Sequence, residues 1–400
     1  MRQFPKILAA CACALALFTP AFNAHAAPVE ALYTFLGGAD GSVPTTGVIR
    51  DDKGNLFGTT WGGGTSGLGT VFKLAPDGKQ TVLYSFWQGS YGEFSSWPSG
   101  LALGKGGVLF GITGLGGNTC GRYTCGTVFA LAPDGTKTTL HAFNGASDGA
   151  LPSGAPLVDE GGYLYGTTQY GGGHGDCGHL YCGTVYAIAP DGTETVLHSF
   201  CSEKHCTDGE VPGAGLIEDK QGNLYGTTQA GGVHRGGTVF KVTKGGTETV
   251  LYSFCSMENC LDGSNPRAAL TMDEAGNLYG TAIGGGASNY GVVFELAPDG
   301  TETVLHSFDQ SVDGFSPSTG VVIDSAHNIY GAVSGGYYCG DDISSVYRLS
   351  PDGKEKIICL SALPVSGFIQ TNGYLIGTAG VGSGKWLYKY PSGLVFKIPE

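Results

Sequence analysis

The chain has 400 residues, of which 71 are glycine and only 18 are proline. Glycine is far above its ordinary level of about 7%, and because each glycine in a helix costs about 1 kcal/mol relative to alanine, the composition favours short strands joined by turns. Acidic residues outnumber basic ones by 34 to 21, and the net charge of −13 argues against nucleic acid or an anionic membrane as a partner.

The first 26 residues have the pattern of a secretory signal peptide. Arg2 and Lys6 precede an apolar stretch, and residues 24–26 (Ala-His-Ala) form an A-x-A cleavage site. The alternative is a lipoprotein cleavage box ending at Cys11, but it leaves almost no apolar stretch upstream of that cysteine. The sequence therefore predicts a protein that is exported to the periplasm or secreted, with residues 27–400 as its single mature domain and no membrane span.

Residues 27–400 are built from about seven repeats of about 53 residues each. In the first repeat, four short β-type runs cover residues 47–50, 55–60, 69–73 and 81–86, and we name them strands a, b, c and d. Four strands per repeat are typical of a β-propeller blade. The predicted fold is all-β, a β-propeller of seven four-stranded blades with strand a innermost. Residues 32–35 and 394–398 compete for the strand that closes the ring.

The repeat motifs carry a family resemblance. N-L-Y-G-T-T, G-G, G-T-V-F-K, P-D-G and V-L-Y-S-F follow one another in series through nearly the whole of residues 27–400. This order resembles the GloVer tandem-repeat family of exported bacterial proteins, although repeats six and seven depart from it at residues 344–347 and 385–388. The resemblance implies a propeller-like exported protein, and it implies no reaction.

The ten cysteines that follow the first 26 residues suit disulfide bonds in an oxidising compartment. Eight of them form C-x4-C pairs, and the remaining two fall at the same end of repeat six. No C-x2-C pair occurs among the ten, which disfavours a cysteine metal site, and we expect neither a metal nor another cofactor. The predicted disulfides are Cys120–Cys125, Cys177–Cys182, Cys201–Cys206, Cys255–Cys260 and Cys339–Cys359.

One face of the predicted propeller holds most residues that break the repeat. In an antiparallel meander the b–c and d–a loops of every blade lie on the same face, and loops on a rigid scaffold commonly carry binding sites. Aromatic rings stack on sugars or anchor protein partners, and arginine binds anionic groups. The candidate ligand-binding residues on this face are Trp87, Tyr91, Trp97, Arg122, Tyr123, Tyr337 and Trp386.

The same loops hold imidazole, phenol and guanidinium groups that can serve in acid–base chemistry. The leading hypothesis is binding of an extracellular glycan or protein. The alternatives are a polysaccharide-active enzyme, a lyase or glycoside hydrolase that uses this face, and a purely structural exported protein. The candidate catalytic residues are His174, His179, Tyr181, His234 and Arg235.

A second set of polar residues recurs too regularly to indicate catalysis. Aspartates in the motif D-G-x-x-P stand in most repeats, and we expect them to cap turns. His141, His198 and His306 occupy the position that Tyr84 and Tyr252 hold in sister repeats, so we interpret them as strand residues and not as ligands. The D-G-x-x-P aspartates are Asp40, Asp148, Asp208, Asp262 and Asp313.

Overall fold

The computed structural model describes residues 29–44, 46–87, 95–120, 123–173, 182–335, 344–359, 367–380 and 392–400. Within these ranges the chain is all-β, and helical structure is confined to the 3₁₀ turns Lys105–Gly107, Lys204–Cys206 and Glu258–Cys260. No helix among these residues is long and apolar enough to cross a membrane.

The strands, numbered β1 to β33 in chain order, form seven antiparallel blades of a β-propeller, which confirms the predicted fold. Blade 1 contains β2 (Ser42–Pro44), β3 (Ile49–Arg50), β4 (Leu56–Gly62), β5 (Thr70–Leu74) and β6 (Gln80–Ser85). Blade 2 contains β7 (Ser95–Leu103), β8 (Leu109–Gly116), β11 (Thr127–Leu131) and β12 (Lys137–Ala142), with the hairpin β9 (Thr119–Cys120) and β10 (Tyr123–Thr124) in its b–c loop. Blade 3 contains β13 (Ala150–Val158), β14 (Leu164–Tyr170), β15 (Thr184–Ile188) and β16 (Glu194–Ser199).

The remaining blades repeat this order. Blade 4 contains β17 (Glu210–Pro212), β18 (Ile217–Glu218), β19 (Leu224–Ala230), β20 (Thr238–Val242) and β21 (Glu248–Ser253). Blade 5 contains β22 (Ser264–Pro266), β23 (Thr271–Met272), β24 (Leu278–Gly284), β25 (Val292–Leu296) and β26 (Glu302–Ser307). Blade 6 contains β27 (Val322–Ile323), β28 (Ile329–Val333), β29 (Ser345–Leu349) and β30 (Glu355–Cys359). Blade 7 contains β31 (Ile369–Thr371), β32 (Tyr374–Ala379), β33 (Leu394–Pro399) and β1 (Glu30–Thr34).

The ring closes through both ends of the chain. Strand β1 pairs antiparallel with β33, so that Tyr33 lies opposite Val395. The N-terminal strand is therefore strand d of blade 7, and the C-terminal strand is its strand c. The two segments that the sequence places in competition occupy different positions in one blade.

The hydrophobic core is divided into seven clusters, one at each interface between neighbouring blades. At the interface of blades 3 and 4, Phe200 follows strand d and packs edge-to-face on Phe240 of the next strand c, with ring centroids 4.9 Å apart. Both rings are fully buried. Burial of such a side chain contributes about 1.5–3 kcal/mol, so each blade depends on its neighbours for stability.

Strand a begins earlier than predicted, inside the D-G-x-x-P motif. In blade 4 the register pairs Pro212 with Thr228, and the preceding Val211 has a left-handed φ of +57°. The Val211 N–H donates to the carbonyl of Cys182 in blade 3 at 3.0 Å. A Cβ at Gly183, the next residue, would lie only 2.5 Å from Cδ of Pro212. We call this contact the Gly–Pro interlock, and it hooks each inner strand onto the preceding blade.

Among the described residues the interlock occurs at six interfaces, and at each the proline approaches a glycine that opens strand c of the preceding blade. At the interface of blades 6 and 7, Ser344 stands in place of the glycine, and residues 360–366, which lead into blade 7, lie outside the described residues. The glycine–proline pairs are Gly393–Pro44, Gly69–Pro98, Gly126–Pro152, Gly183–Pro212, Gly237–Pro266 and Gly291–Pro317.

Candidate functional site

Two tryptophans stack on each other at the loop end of the interface between blades 1 and 2. Trp61 lies near the end of β4, and Trp97 lies near the start of β7. Their ring centroids are 5.6 Å apart with an interplanar angle of 18°. Trp61 is 46% exposed and Trp97 is 48% exposed. The pair therefore presents a flat, apolar aromatic surface to solvent.

Both tryptophans replace smaller or more polar residues of the repeat. At the position of Trp61, blades 3 and 4 carry Gln169 and Gln229. Trp97 has the left-handed φ of the residue before each interlock proline, +59°, and at that position blades 4 and 5 carry Val211 and Asn265. Sequence reasoning identified Trp97 and missed Trp61, which lies in a strand. Comparison of equivalent repeat positions is the signal that finds it.

The other predicted ligand-binding residues are only partly described. Trp87, two residues after β6, is 48% exposed. Tyr123 belongs to β10, and its side chain is not among those described. The candidates Tyr91, Arg122, Tyr337 and Trp386 lie outside the described residues.

Among the predicted catalytic residues, the structure describes two. His234 and Arg235 lie side by side in the tight b–c loop of blade 4, and both are exposed. The Arg235 backbone N–H donates to the carbonyl of Gly232 at 3.1 Å. Burial raises the pKa of Glu210, and the charge of the Arg235 side chain lowers it by less, so that the net shift is upward. The candidates His174, His179 and Tyr181 lie outside the described residues.

The described cysteines lie in pairs at disulfide distance, in the loops where the sequence places them. The Cα atoms are 5.5 Å apart for Cys120 and Cys125 and 4.0 Å apart for Cys201 and Cys206. The carbonyl of Cys206 accepts hydrogen bonds from Gly209 at 2.9 Å and from Gly232 at 2.8 Å, so the d–a loop is tied to a b–c loop.

The third described pair, Cys255 and Cys260, repeats this geometry with Cα atoms 4.0 Å apart. Cys182 and Cys359 are also disulfide-bonded. Cys177 and Cys339, which the sequence pairs with them, lie outside the described residues.

A polar cluster recurs at the outer edge of the blade interfaces, and we call it the rim cluster. It combines a histidine or tyrosine of strand d, the aspartate of D-G-x-x-P, and a glutamate that begins strand d of the next blade. The first two members are the residues that the sequence analysis assigned to the scaffold, and the glutamate was missed. The complete rim clusters among the described residues are His141–Asp148–Glu194, His198–Asp208–Glu248, Tyr252–Asp262–Glu302 and His306–Asp313–Glu355.

The two kinds of carboxyl group in a rim cluster have opposite electrostatic character. Asp262 is fully buried and accepts hydrogen bonds from Tyr252 Oη at 2.8 Å and from the Ser256 N–H at 2.8 Å, which is the expected turn-capping role. Burial raises the pKa of Glu248 and of Glu302 to about 7. These two rim clusters therefore hold a glutamate that is partly protonated at neutral pH beside an aspartate that anchors a turn.

A cleft of about 540 Å³ opens beside the rim cluster of blades 2 and 3. Asp148, Glu194 and His198 line it, and Gly172 and Gly173 form one of its walls. Burial raises the pKa of Glu194 above its ordinary value. A carboxyl group with a raised pKa, near a second carboxylate and an imidazole, has the groups that acid–base catalysis uses. The predicted catalytic loop follows Gly173 directly in the chain.

Comparison with solved structures finds similarity at low sequence identity. A puromycin hydrolase complexed with PGG has a TM-score of 0.52 and 15% identity over 90% of this chain, and this chain spans 52% of that protein. A gluconolactonase from Xanthomonas campestris has a TM-score of 0.42 and 15% identity, with 94% and 98% of the two chains covered. A Bacteroides thetaiotaomicron protein of unknown function has a TM-score of 0.45 and 13% identity, with 93% and 98% covered.

No curated protein matches the chain. The sequence does match a family model, the Gloeobacter/Verrucomicrobia repeat, over residues 21–217 and again over residues 178–390. These two overlapping matches extend through most of the seven blades and confirm the resemblance carried by the repeat motifs. The chain belongs to the Gloeobacter/Verrucomicrobia repeat family.

Proposed function

We propose that this propeller binds a glycan on the face of its b–c and d–a loops, with the Trp61–Trp97 pair as the binding platform. A sugar ring offers an apolar C–H face that packs against an indole ring. The two indoles already stack on each other at 5.6 Å, so binding immobilises few additional side-chain rotamers. Little of the interaction energy is then lost to ordering the site.

The observation that supports this proposal is the joint departure of both positions from the repeat. A blade needs no tryptophan at either position, because Gln229 and Val211 occupy them in blades that fold in the same way. The two replacements come from different repeats and meet at one interface. Large exposed aromatic residues are costly in solubility, and their coincidence favours a ligand over a scaffold role.

The test measures binding to a panel of soluble neutral and acidic polysaccharides, with the change in tryptophan fluorescence as the readout. Trp61→Ala and Trp97→Ala should each weaken binding by about tenfold or more, because truncated aromatic anchors commonly lose that much. Tyr163→Ala is the matched control, since Tyr163 is 43% exposed and stacks on Tyr165 but lies at the end of the blade that carries the a–b turn. Equal effects of all three variants, or no retained polysaccharide, would contradict the proposal.

The remaining aromatic and basic candidates of this face are proposed as outer subsites. Trp87 is the one whose exposure the structure describes, at 48%. Trp87→Ala should weaken binding of long polysaccharides more than binding of short oligosaccharides. A protein partner is the other ligand class. Capture of a protein in the absence of polysaccharide, if it is lost in Trp61→Ala and Trp97→Ala, would favour a protein ligand instead of a glycan.

A second candidate function, a polysaccharide-active enzyme, is favoured by the cleft beside Glu194. Glycoside hydrolysis needs one carboxylic acid and one carboxylate, and the cleft contains Glu194, with its raised pKa, and Asp148. The same polysaccharide panel should be assayed for new reducing ends and for unsaturated products. Turnover that is lost in Glu194→Gln and in His174→Ala with His179→Ala would establish the enzyme, whereas binding without products leaves the platform as the function.

Export of the chain is part of the proposal. Cysteine pairs at disulfide distance suit an oxidising compartment, and residues 1–26 have the pattern of a signal peptide. The mature protein isolated from the periplasm or the medium should begin at Ala27 when its N-terminus is sequenced. A chain that retains Met1 and stays in the cytoplasm would contradict this.

A further inference from the structure

One rim cluster differs from its sisters in how closely its three side chains approach. At the interface of blades 5 and 6, His306 Nε2 lies 2.7 Å from Asp313 Oδ2 and 3.5 Å from Glu355 Oε1. Possible ligand atoms of the three side chains all lie within 4.8 Å of one another. Within the described part of the chain, the other group of three that meets this distance includes Cys201 and Cys206, which are disulfide-bonded.

The site is buried and contains an acceptor that has no donor. The Glu355 side chain is only 9% exposed, and its Oε1, which points toward His306, has no hydrogen-bond partner. An unpaired polar atom in such surroundings is costly, and a bound cation would pair it. Glu194, Glu248 and Glu302 of the sister clusters also have an unpaired Oε1, so the close approach of the three side chains is what sets this cluster apart. His306 is 19% exposed and gives access from solvent.

The surroundings hold the other two side chains in place. Asp313 Oδ1 accepts a hydrogen bond from the Asp309 N–H at 2.7 Å, which leaves Oδ2 directed at His306. The His306 ring packs edge-to-face on Phe308, with centroids 4.7 Å apart. Hydrogen bonds that orient a ligating carboxylate and an apolar wall that restricts an imidazole are typical of the shell around a protein metal site.

We propose that His306, Asp313 and Glu355 bind a divalent cation of the zinc class and that this cation ties blade 5 to blade 6. One imidazole nitrogen and two carboxylate oxygens are ligands that Zn²⁺ accepts, with bonds of about 2.0–2.2 Å. In tetrahedral geometry these bonds separate neighbouring ligand atoms by about 3.3 Å. The 3.5 Å separation already suits the cation, and the 2.7 Å separation must open by about 0.6 Å to reach the tetrahedral value. A water molecule completes the coordination.

A cation at this place crosslinks two blades. His306 belongs to β26 of blade 5, whereas Glu355 begins β30 of blade 6. Because the three ligands meet only in the folded ring, the cation binds the native state and stabilises it. Blade 6 also borders blade 7, and at that interface Ser344 replaces the glycine of the Gly–Pro interlock.

The chain itself supplies the matched variants. In the rim cluster of blades 4 and 5, Tyr252 takes the place of the histidine and donates to Asp262 at 2.8 Å. His306→Tyr therefore installs a residue that the fold already accepts at the equivalent position, while it removes the imidazole ligand. His198→Tyr makes the same change in a rim cluster whose three side chains are not within ligand distance.

The experiment is equilibrium dialysis of the untagged full chain against Zn²⁺ alone, together with thermal unfolding with and without Zn²⁺. The wild type and His198→Tyr should bind the same number of equivalents, and Zn²⁺ should raise the midpoint of unfolding, Tm, of both. His306→Tyr should bind one equivalent fewer and lose the rise in Tm. Glu355→Gln should weaken the affinity by more than about tenfold.

The proposal is overturned if the wild type binds no Zn²⁺, or if His306→Tyr binds as many equivalents with the same rise in Tm. Circular dichroism checks that each variant is folded. Should His306→Tyr fail this check, Glu355→Gln decides the question, because its amide keeps the shape of the side chain. An unchanged affinity in folded Glu355→Gln would equally overturn the proposal.

Discussion

The inner and outer ends of a blade interface are built in contrasting ways. At the inner end, Pro212 of blade 4 meets Gly183 of blade 3 so closely that a single methyl group on the glycine does not fit. At the outer end, the same two blades meet through His198, Asp208 and Glu248: His198 Nε2 lies 3.4 Å from Asp208 Oδ2, and Glu248 interacts electrostatically with both. The inner contact depends on close steric fit, and the outer contact depends on electrostatic interactions.

The inner contact is nearly the same at six interfaces, whereas the outer contact varies. Six interfaces carry the glycine and the proline. At the outer end of blades 7 and 1, by contrast, Gln80 replaces the glutamate and donates to the Asp40 carbonyl at 3.0 Å. In blade 2 the equivalent residue is Lys137, whose Nζ lies 5.9 Å from the centroid of the Tyr84 ring. The steric contact thus requires the same glycine and proline in successive repeats, whereas the polar contact accepts different residues.

The sharpest way to break the inner contact is Gly183→Ala. The substitution places a Cβ 2.3 Å from the Thr168 carbonyl oxygen of the same blade and 2.5 Å from Pro212 Cδ of the next blade, and it forces a left-handed φ of +88° on alanine. The free energy of unfolding should fall by about 3–4 kcal/mol. Urea denaturation measures the loss.

Gly78→Ala is the control for the φ contribution. Gly78 has φ of +83°, and no heavy atom lies within 4 Å of the position that a Cβ would take. Its loss should be about 1 kcal/mol. Equal losses for Gly78→Ala and Gly183→Ala would show that the interlock does not limit stability.

The outer contact should be weaker but still measurable. Asp262→Ala removes a buried carboxylate that accepts hydrogen bonds from Tyr252 and from the Ser256 N–H and hydroxyl. The free energy of unfolding should fall by about 2–3 kcal/mol, because hydrogen bonds to a buried charged group are lost. Asp299→Ala is the control, since Asp299 is exposed and caps a turn through Thr301, and its loss should be clearly smaller. Similar losses in both variants would make the rim cluster a simple turn cap.

The sequence predicts well those features that depend on local chemistry. Glycines and Asp-Gly turns mark the ends of strands, and the copies of these marks predict the blade number and the strand order. In the first repeat the predicted runs 55–60, 69–73 and 81–86 overlap the observed β4, β5 and β6. Local turn chemistry suffices here because each strand pairs with its neighbour along the chain.

The inner interlock is beyond local prediction because the preceding blade imposes it. Val211 is β-branched and precedes a proline, and both properties favour an extended backbone. Its left-handed φ is held by the carbonyl of Cys182 and by the contact of Pro212 with Gly183. Sequence reasoning therefore placed this segment in a loop.

The candidate sites show the same division. Trp97 follows an aromatic-rich loop segment and was found, whereas Trp61 stands alone after a repeat motif, at a position where blades 3 and 4 carry glutamine, and it was missed. Glu355 looked like an ordinary polar residue at the start of a strand. It lies 49 positions from His306 in the chain, and only the stacking of two blades brings the two side chains together.

The smallest expected effect concerns the pH response of the outer contact. Burial raises the pKa of Glu302 from its ordinary value of 4.5 to about 7 in the folded protein, and neither of its buried carboxylate oxygens has a hydrogen-bond partner. Between pH 4.5 and pH 7 the folded state therefore binds more protons than the unfolded state. It follows that the free energy of unfolding falls as the pH rises through this window, and stays lower above it.

Glu302→Gln cannot ionise and should lose this part of the pH dependence. The variant should match the wild type near pH 4.5 and exceed it above pH 7 by about 1 kcal/mol, a modest gain because the side chain is only half-buried and water screens its charge. Urea unfolding at a series of pH values measures the difference between the two curves. Glu248→Gln, in the neighbouring rim cluster, should give the same sign, since burial raises the pKa of Glu248 in the same way. A constant difference between variant and wild type across this pH range would mean that the glutamate is ionised throughout, and the outer contact would then be an ordinary network of charges.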